Sequence, residues 1–248
     1  MVKKMKNVIL LGYGKMGSSI AKGWRLKKLN FNFFVVEKVS NLRKVAIKDG
    51  FNAYEDLEQL TQFVKINSGD VIFLAVKPQQ MKETIKPLFK LNFKDIVFIS
   101  IAAGLSISWF QNQINKNAKI VRAMPNLPAS IGVGVTGYCQ TNNLSDNDIK
   151  NANDLLCAFG KVIYLSSEKL IDAVTAISGS GPAYIFYLVE VLSKIGKENG
   201  LLEQDSKTLA LETLIGSAKL LELSKMDPEI HKKNVTSPGG TTEAGLDI

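Results

Sequence analysis

The sequence is poor in the residues that build metal sites and disulfides. Its 248 residues include one histidine, His231, and two cysteines, Cys139 and Cys157. Two thiols cannot form a disulfide framework or a four-thiolate zinc site, and a single histidine argues against a Ser-His-Asp hydrolase. We therefore expect no metal centre and a reducing, cytoplasmic location. The cysteines are predicted to be buried packing residues, and His231 an exposed helix residue.

Long apolar runs are absent too. No run approaches the roughly 18–20 residues of a membrane span, and the apolar segment 8–12 behind the basic start is too short for a signal peptide. The net charge is +8, with 31 Lys and Arg against 23 Asp and Glu. These cations are scattered and do not alternate with aromatic residues, so we predict a solvated surface and neither a nucleic-acid nor a membrane partner.

What the sequence does contain is a regular alternation of short apolar runs with helical patterns. Such alternation predicts βαβ units and a doubly wound, mostly parallel sheet. Strand patterns stop near residue 165, and two long helical patterns follow, over 182–199 and 206–225. We predict an α/β domain over 1–165 and an all-α domain over 166–248. The predicted strands are 7–12, 31–37, 71–76, 96–101, 118–123, 133–139 and 161–165.

Three glycines, Gly12, Gly14 and Gly17, lie between the first predicted strand and the first predicted helix. In a G-x-G-x-x-G turn the first glycine permits the tight turn, the second lets a pyrophosphate approach the backbone, and the third allows close helix–strand packing. Acidic Glu37 at the end of the second strand completes the pattern. The first domain is therefore predicted to be a Rossmann-like domain that binds NAD(P).

The residues after the second strand leave the phosphate state of this cofactor open. Glu37 favours NAD(H), because a carboxylate accepts hydrogen bonds from a ribose 2′-hydroxyl. Lys38, Ser40 and Arg43 favour NADP(H), because cations there could meet a 2′-phosphate. The sequence is therefore compatible with both NADP(H) and NAD(H).

Further segments are suited to ligands. Residues 75–78 and 100–104 follow predicted strands, at the edge where open parallel sheets bind ligands. Lys77 is expected to touch solvent or cofactor and not to act as a base. Segments 178–182 and 236–242, rich in glycine and serine, precede helical patterns, so each could offer free backbone N–H groups to a carboxylate or phosphate.

With these segments taken together, the chain resembles pyrroline-5-carboxylate reductase over nearly its whole length. That resemblance implies an enzyme, an oxidoreductase that reduces the C=N bond of 1-pyrroline-5-carboxylate to L-proline with NAD(P)H, the last step of proline biosynthesis. It also implies a helical domain that forms a homodimer or higher homo-oligomer. Members of that family continue through another helix past the position of Ile248, so we expect some difference in the dimer surface. The resemblance is carried by Gly12-Tyr-Gly-Lys-Met-Gly17, Ala75-Val-Lys-Pro78, Ser100-Ile-Ala-Ala-Gly104, Arg122-Ala-Met-Pro-Asn126, Asp172-Ala-Val-Thr-Ala-Ile-Ser-Gly-Ser-Gly-Pro-Ala-Tyr184 and Val235-Thr-Ser-Pro-Gly-Gly-Thr-Thr242.

The resemblance also implies site residues. Thr242 is expected to be catalytic, as the hydrogen-bond partner of the imine nitrogen, and Glu168 to favour the iminium or to fix a loop. The Gly240 and Thr241 amides and the Ser237 hydroxyl are expected to hold the substrate carboxylate. The expected substrate-binding residues are Glu168, Asn234, Ser237, Gly240, Thr241 and Thr242. The expected cofactor-binding residues are Leu11, Gly12, Tyr13, Gly14, Lys15, Met16, Gly17, Glu37, Lys38, Ala75, Val76, Lys77, Pro78, Ile101, Ala102 and Ala103.

Three other functions share part of this sequence pattern. A hydroxyacid or imine dehydrogenase would share the architecture, but hydroxyacid enzymes need a lysine where Pro182-Ala-Tyr184 follows Gly179 and Gly181. A non-catalytic sensor would bind the dinucleotide without turnover. A methyltransferase would explain the glycine turn and the acidic residue, but not the helical domain.

Overall fold

The computed structural model describes residues 5–90 and 95–247. The chain divides into two compact units, Met1–Pro182 and Ala183–Ile248. The first contains the whole sheet, and the second is helical in the part that the structure describes.

The first unit is built on an eight-stranded sheet with the order β3-β2-β1-β4-β5-β6-β7-β8. Neighbouring strands run parallel, except that β6 and β7 are antiparallel. The predicted α/β class and each predicted strand are confirmed. The three-residue β3 was not predicted, because so short a segment carries no alternation to read. The strands are β1 (Lys6–Leu11), β2 (Phe31–Val36), β3 (Asn52–Tyr54), β4 (Val71–Leu74), β5 (Val97–Ser100), β6 (Lys119–Met124), β7 (Gly134–Gln140) and β8 (Gly160–Tyr164).

Helices follow most strands of the first unit. Helix α3 was not predicted; the Asp56 carboxylate caps it by accepting a 2.8 Å hydrogen bond from the Gln59 amide. The α-helical part of α4 ends at Ile85, two residues before Pro87, and Lys86–Lys90 continues as a 3₁₀ turn. The helices are α1 (Lys15–Leu26), α2 (Ser40–Lys48), α3 (Leu57–Phe63), α4 (Pro78–Ile85), α5 (Ile107–Gln113), α6 (Asp146–Cys157) and α7 (Leu170–Val174).

Both faces of the central strands are buried, as the doubly wound prediction requires. Along β1, Val8 and Leu10 belong to one apolar cluster while Ile9 and Leu11 belong to the other. This alternation follows from the two-residue period of a strand. Trp24 of α1 is fully buried in the first cluster, where its indole N–H donates a 2.9 Å hydrogen bond to the carbonyl of Leu155. The sheet is therefore a rigid platform for the loops at its edge.

The segment 178–182, expected to precede a helix and to offer free backbone N–H groups, is itself helical. Helix α7 continues into a π-helical turn, Thr175–Gly179, and then into α8 (Gly181–Glu198). The Ser180 amide donates a 2.8 Å hydrogen bond to the Thr175 carbonyl. That amide is thus not free to bind a ligand. The glycine and serine content hid the helix because both residues also favour turns.

The second unit consists of the rest of α8 followed by α9 (Glu203–Ser224), α10 (Pro228–Asn234) and α11 (Thr241–Leu246). Within its described residues, 183–247, the one buried apolar side chain is that of Ala210. No helix in the described part of the chain is long and apolar enough to cross a membrane.

Two predictions about single residues are corrected by the structure. Cys139 is buried as expected, but the prediction that Cys157 is buried is wrong, since this last residue of α6 is exposed. His231 does lie on a helix, α10, but it is half-buried, and its Nε2 lies 2.7 Å from the Ser224 hydroxyl. The described residues hold no group of three or more His, Cys, Asp or Glu that could bind a metal ion.

An ion-pair network lies at the start of β6. The Lys119 ammonium contacts the Asp148 carboxylate at 2.7 Å and also the carboxylate of Asp95. Asp148 caps α6 together with Ser145 and is 4% exposed. Burial alone would raise the pKa of Asp148, but the hydrogen bonds from Lys119 and Ser145 outweigh it and lower the pKa below its ordinary value.

We predict that Lys119→Met lowers the free energy of unfolding by about 3 kcal/mol near neutral pH, since a buried carboxylate loses its cation. The wild-type pair stabilises the fold above the unfolded pKa of about 3.9, and this contribution is lost as the pH falls through the lower folded-state pKa. Urea unfolding at several pH values should therefore show the difference between wild type and variant shrinking on acidification.

Lys150→Met is the matched control for this prediction. Lys150 forms an ion pair with Asp154 on α6, but its side chain is 70% exposed. Exposed pairs contribute about 0.5 kcal/mol, so this variant should unfold nearly like wild type. Equal losses in the two variants would show that the burial of Asp148 is not what makes its ion pair strong.

Candidate functional site

The candidate site begins at the carboxyl edge of the sheet, where the strand order reverses. β1 pairs with β2 on one side and with β4 on the other, and Leu11 at the end of β1 aligns with Leu74 at the end of β4. Connections from these strands lead to opposite faces of the sheet, which opens a crevice between them. In open α/β sheets such a switch point is where ligands bind.

The three glycines between β1 and α1 have different surroundings. Gly12 has a φ of +100°, and a Cβ there would lie 2.9 Å from Cγ1 of Val76. A Cβ on Gly17 would overlap the carbonyl oxygen of Gly12, whereas a Cβ on Gly14 would meet no atom within 4 Å. Packing thus requires glycine at 12 and 17, while Gly14 borders open space beside the backbone.

Helix α1 presents an uncapped amino terminus to that space. Gly14 is its N-cap and supplies no side-chain cap, and the first turn contains no acidic residue. The amides of Lys15 and Met16 have no partner within the helix, and the helix dipole is positive at this end. These features fit the pyrophosphate of a dinucleotide.

Tyr13, between the first two glycines, ties the loop to the end of β2. Its amide donates a 2.6 Å hydrogen bond to Oε2 of Glu37, whose Oε1 accepts a 2.8 Å hydrogen bond from the Val39 amide. The Glu37 side chain is buried, and Lys38 beside it is exposed. Glu37 is thereby held next to the glycine loop.

The Tyr13 side chain anchors the same loop from below. Its hydroxyl donates a 2.8 Å hydrogen bond to Asp49, whose carboxylate also pairs with Lys22 at 3.2 Å. Burial is the main cause of a raised pKa of Tyr13, which therefore stays a donor. Burial would raise the pKa of Asp49 too, but the bonds from Tyr13 and Lys22 lower it below its usual range. Sequence reasoning missed Asp49, since no local pattern links positions so far apart.

The loops after β4 and β5 leave the same edge. The Ala75 amide donates a 2.9 Å hydrogen bond to the Leu11 carbonyl, which fixes the first of these loops against β1. Lys77 is exposed and precedes Pro78, the first residue of α4. In the second loop the fully buried Ser100 hydroxyl accepts a 3.2 Å hydrogen bond from the Ala102 amide. The side chains at this edge are apolar, and three of the five are alanines: Ala75, Val76, Ile101, Ala102 and Ala103.

Glu168 holds the end of the second loop. Its Oε1 accepts 2.7 Å hydrogen bonds from the Ile107 amide, at the start of α5, and from Nη1 of Arg122. Arg122 is buried, so this ion pair is partly shielded from water. Burial, with the nearby Glu168 charge, raises the pKa of Cys139 to about 11, so this thiol is not an activated nucleophile. Sequence reasoning assigned no role to Arg122, although its motif was noticed.

The remaining predicted residues lie in the second unit. Asn234 ends α10, Ser237 is exposed, and Thr241 and Thr242 are the first residues of α11, with exposed side chains. The Gly240 amide donates a 3.0 Å hydrogen bond to the Ser237 carbonyl. It is therefore occupied within the turn, contrary to the expectation that it holds a carboxylate.

The predicted residues thus fall into groups. Positions 11–17, 37–38, 75–78 and 101–103 gather at one edge of the sheet. Glu168 belongs to the same unit and reaches that edge through the Ile107 amide, whereas 234–242 form one segment of the other unit.

We predict that Gly14→Val abolishes nucleotide binding while leaving the melting temperature nearly unchanged. The added side chain meets no protein atoms at its Cβ but fills the space beside the α1 amides. Titration with NADH and NADPH, followed by fluorescence, measures the first effect, and circular dichroism on heating measures the second.

Gly17→Ala provides the contrast. Its Cβ would overlap the Gly12 carbonyl, so it should lower the melting temperature by several degrees. Unchanged nucleotide affinity in Gly14→Val would refute the assignment of this loop to the pyrophosphate.

Comparison with known proteins covers nearly the whole chain. Residues 168–248 match the family model described as pyrroline-5-carboxylate reductase dimerisation, and residues 7–104 match that of NADP oxidoreductase coenzyme F420-dependent. The pyrroline-5-carboxylate reductase of Aquifex aeolicus is 35% identical over 96% of this chain and 86% of its own length. Pyrroline-5-carboxylate reductase 2 of Bacillus subtilis is 33% identical over 98% of this chain and 86% of its own.

Solved structures agree. The chain superposes on a pyrroline-5-carboxylate reductase from Coxiella burnetii with a TM-score of 0.86 and 31% identity, covering 98% of this chain and 90% of that one. For the Plasmodium falciparum pyrroline carboxylate reductase with NADP bound, the TM-score is 0.78 and the identity 32%, covering 97% and 88%. Sequence and fold together show that the chain belongs to the pyrroline-5-carboxylate reductase family.

Proposed function

We propose that the protein is an oxidoreductase that reduces the C=N bond of 1-pyrroline-5-carboxylate to L-proline with NAD(P)H, the last step of proline biosynthesis. The observation that carries this proposal is the dinucleotide edge at Gly12–Gly17 in a chain that also contains the family's 235–242 segment. Relatives of that name match both parts in one alignment.

The carboxyl edge of the sheet would hold the dinucleotide in two places. The α1 amino terminus and the glycine loop would bind the pyrophosphate, and the loops at 75–78 and 101–103 would accommodate the nicotinamide half. When bound, the nicotinamide supplies the hydride. The protein's task is to orient the acceptor carbon, C5 of the pyrroline ring, toward that hydride donor.

The proton for the imine nitrogen does not require a strong acid in the site. The iminium form already carries this proton and is the better hydride acceptor, so positioning matters more than proton transfer. The Thr242 hydroxyl would hydrogen-bond to the ring nitrogen. The Thr241 amide, which has no partner within α11, and the exposed Ser237 hydroxyl would hold the substrate carboxylate, with Asn234 beside them.

The contacts of Glu168 favour a positioning role. Its carboxylate fixes the start of α5 and thereby the loop at 101–103, on the side where the nicotinamide would lie. This supports the second of the two roles expected for Glu168, that of fixing a loop.

The second unit is proposed to form a homodimer or a higher homo-oligomer. Large apolar side chains of α8 and α9 are exposed in the single chain, and a second copy of the same face would bury them. We also keep the functional division at residue 165, with cofactor binding before it and dimerisation and substrate binding after it. A cytoplasmic location is proposed from the low cysteine content. The exposed side chains include Tyr184, Phe186, Tyr187, Leu209 and Leu223.

The decisive test mixes the purified protein with 1-pyrroline-5-carboxylate and follows nicotinamide absorbance with NADPH and NADH in parallel. We expect loss of reduced cofactor matched by L-proline, identified by chromatography. Dinucleotide binding without turnover would overturn the proposal in favour of a non-catalytic sensor.

Thr242→Ala should lower kcat/KM for the imine about tenfold, the effect of losing one hydrogen bond of about 1.4 kcal/mol. Affinity for the reduced cofactor should stay near the wild-type value, and Thr242→Ser should restore most of the activity. Thr236→Ala is the control: its hydroxyl donates to the Lys232 carbonyl at 2.7 Å, within the chain. Equal losses of imine turnover and cofactor affinity would mean that Thr242 is structural.

Two variants of Glu168 separate its possible roles. Glu168→Gln keeps an oxygen acceptor for the Ile107 amide, whereas Glu168→Ala removes it, and both remove the charge. If Glu168 fixes the loop, the Gln variant should keep most of its kcat while the Ala variant loses about tenfold or more, the effect of an unmade buried hydrogen bond. Steady-state kinetics with equal, large losses in both variants would instead support direct stabilisation of the iminium.

A further inference from the structure

We propose that Glu37 makes this chain select the dinucleotide whose adenosine ribose carries a free 2′-hydroxyl, so that NADH binds more tightly than NADPH. The inference rests on the proposed function, because it concerns the cofactor of that reaction. It concerns the choice between NADP(H) and NAD(H) that the residues after β2 left open.

The Glu37 carboxylate is placed beside the glycine loop. Glu37 directly follows β2 and is 7% exposed, and its Oε2 is fixed by the Tyr13 amide at 2.6 Å. Since Tyr13 lies between the first two of the three glycines in the proposed pyrophosphate loop, the carboxylate would lie next to the path from the pyrophosphate to the adenosine ribose. An acidic residue at this position is placed to meet the ribose hydroxyls.

The Glu37 carboxylate also keeps hydrogen-bonding capacity. Each of its oxygens accepts one backbone hydrogen bond, from Tyr13 or from Val39, and has a further lone pair that can accept a second. A 2′-hydroxyl can donate to this capacity. A 2′-phosphate cannot, because it offers acceptors and negative charge to a group that is itself an acceptor and negative.

The nearest guanidinium, that of Arg43, is already partly used. Arg43 donates to the carbonyl of Glu37 at 2.8 Å and to that of Lys38 at 3.2 Å, and it pairs with Glu55 at 3.0 Å. Most of its N–H donors are thus taken and its charge is already paired, which weakens its attraction for a 2′-phosphate. The other cation at the turn, Lys38, is exposed, where attraction to a phosphate is weakened by solvent and salt.

The Glu37 carboxylate is also held rigidly by its hydrogen bonds. If Glu37 turned away to admit a phosphate, the amides of Tyr13 and Val39 would lose their partners. The Tyr13 hydroxyl, bound to Asp49, keeps the loop in place. The carboxylate therefore cannot move away without loss of these hydrogen bonds, so it opposes the binding of any dinucleotide that carries a 2′-phosphate.

The test measures binding as well as turnover. Dissociation constants for NADH and NADPH are determined by fluorescence titration of the wild-type protein, and we expect NADH to bind at least about tenfold more tightly, the value of one hydrogen bond to a charged group. Adenosine 5′-monophosphate should likewise compete with NADH better than adenosine 2′,5′-bisphosphate does. Neither measurement needs a variant that folds.

Variants then assign the preference to Glu37. Glu37→Ser should shrink or reverse the ratio of the two dissociation constants, while Glu37→Asp, which keeps the charge, should preserve its direction. Glu58→Gln removes the same charge from an exposed site on α3 and should leave the ratio unchanged. Melting temperatures verify that each variant is folded.

The outcomes separate this inference from the proposed function. Equal or tighter binding of NADPH to the wild-type protein, or an unchanged ratio in folded Glu37→Ser, overturns the role of Glu37 and leaves the reductase intact. Preference for NADH without reduction of the imine overturns the reductase but supports the role of Glu37. Failure to bind either dinucleotide overturns both.

Discussion

Parallel pairing of β1 with both β2 and β4 is the constraint on which the candidate site depends. It brings Leu11, Val36 and Leu74 to one edge of the sheet, and both faces of β1 are sealed by apolar clusters. A one-residue slip in register would turn every side chain of β1 to the opposite face and disturb the packing of both clusters. The loops that follow the strands therefore start from fixed positions, which also fixes the directions of their first backbone N–H groups.

Charged groups and helix termini are arranged differently at the two ends of the sheet. At the amino ends of β5 and β6, Lys119 is neutralised by two carboxylates and Asp148 closes the cap of α6, so charged groups there meet one another. At the carboxyl ends, the first amides of α1 are left without a side-chain cap. Unpaired donors at a helix terminus lower stability slightly and create affinity for an anion. The same helix-terminus physics thus stabilises one end of the sheet and prepares the other for a ligand.

The sequence could predict what depends on local pattern. Apolar runs identified the main strands, and the spacing of Gly12, Gly14 and Gly17 behind a strand predicted a dinucleotide loop there. The sequence could not predict contacts between distant positions, such as Tyr13 with Asp49 or Arg122 with Glu168, because these depend on which strands become neighbours. The helical course of 178–182 was also missed, since glycine and serine favour turns in isolation, and here the helices on either side determine the conformation. In the 235–242 segment, the family resemblance implied a free Gly240 amide, whereas the turn uses this amide internally.

Discrimination between cofactors illustrates why geometry is needed beyond residue type. Glu37, Lys38 and Arg43 give opposite indications when only their charges are considered. The contacts rank them: the carboxylate is buried and fixed on the glycine loop, the guanidinium is occupied by two carbonyls and Glu55, and the ammonium is exposed. A fixed, partly desolvated charge acts on a ligand more strongly than a solvated one, because water and salt screen it less. On the proposed role of Glu37, the buried carboxylate therefore outweighs the two cations of the same turn.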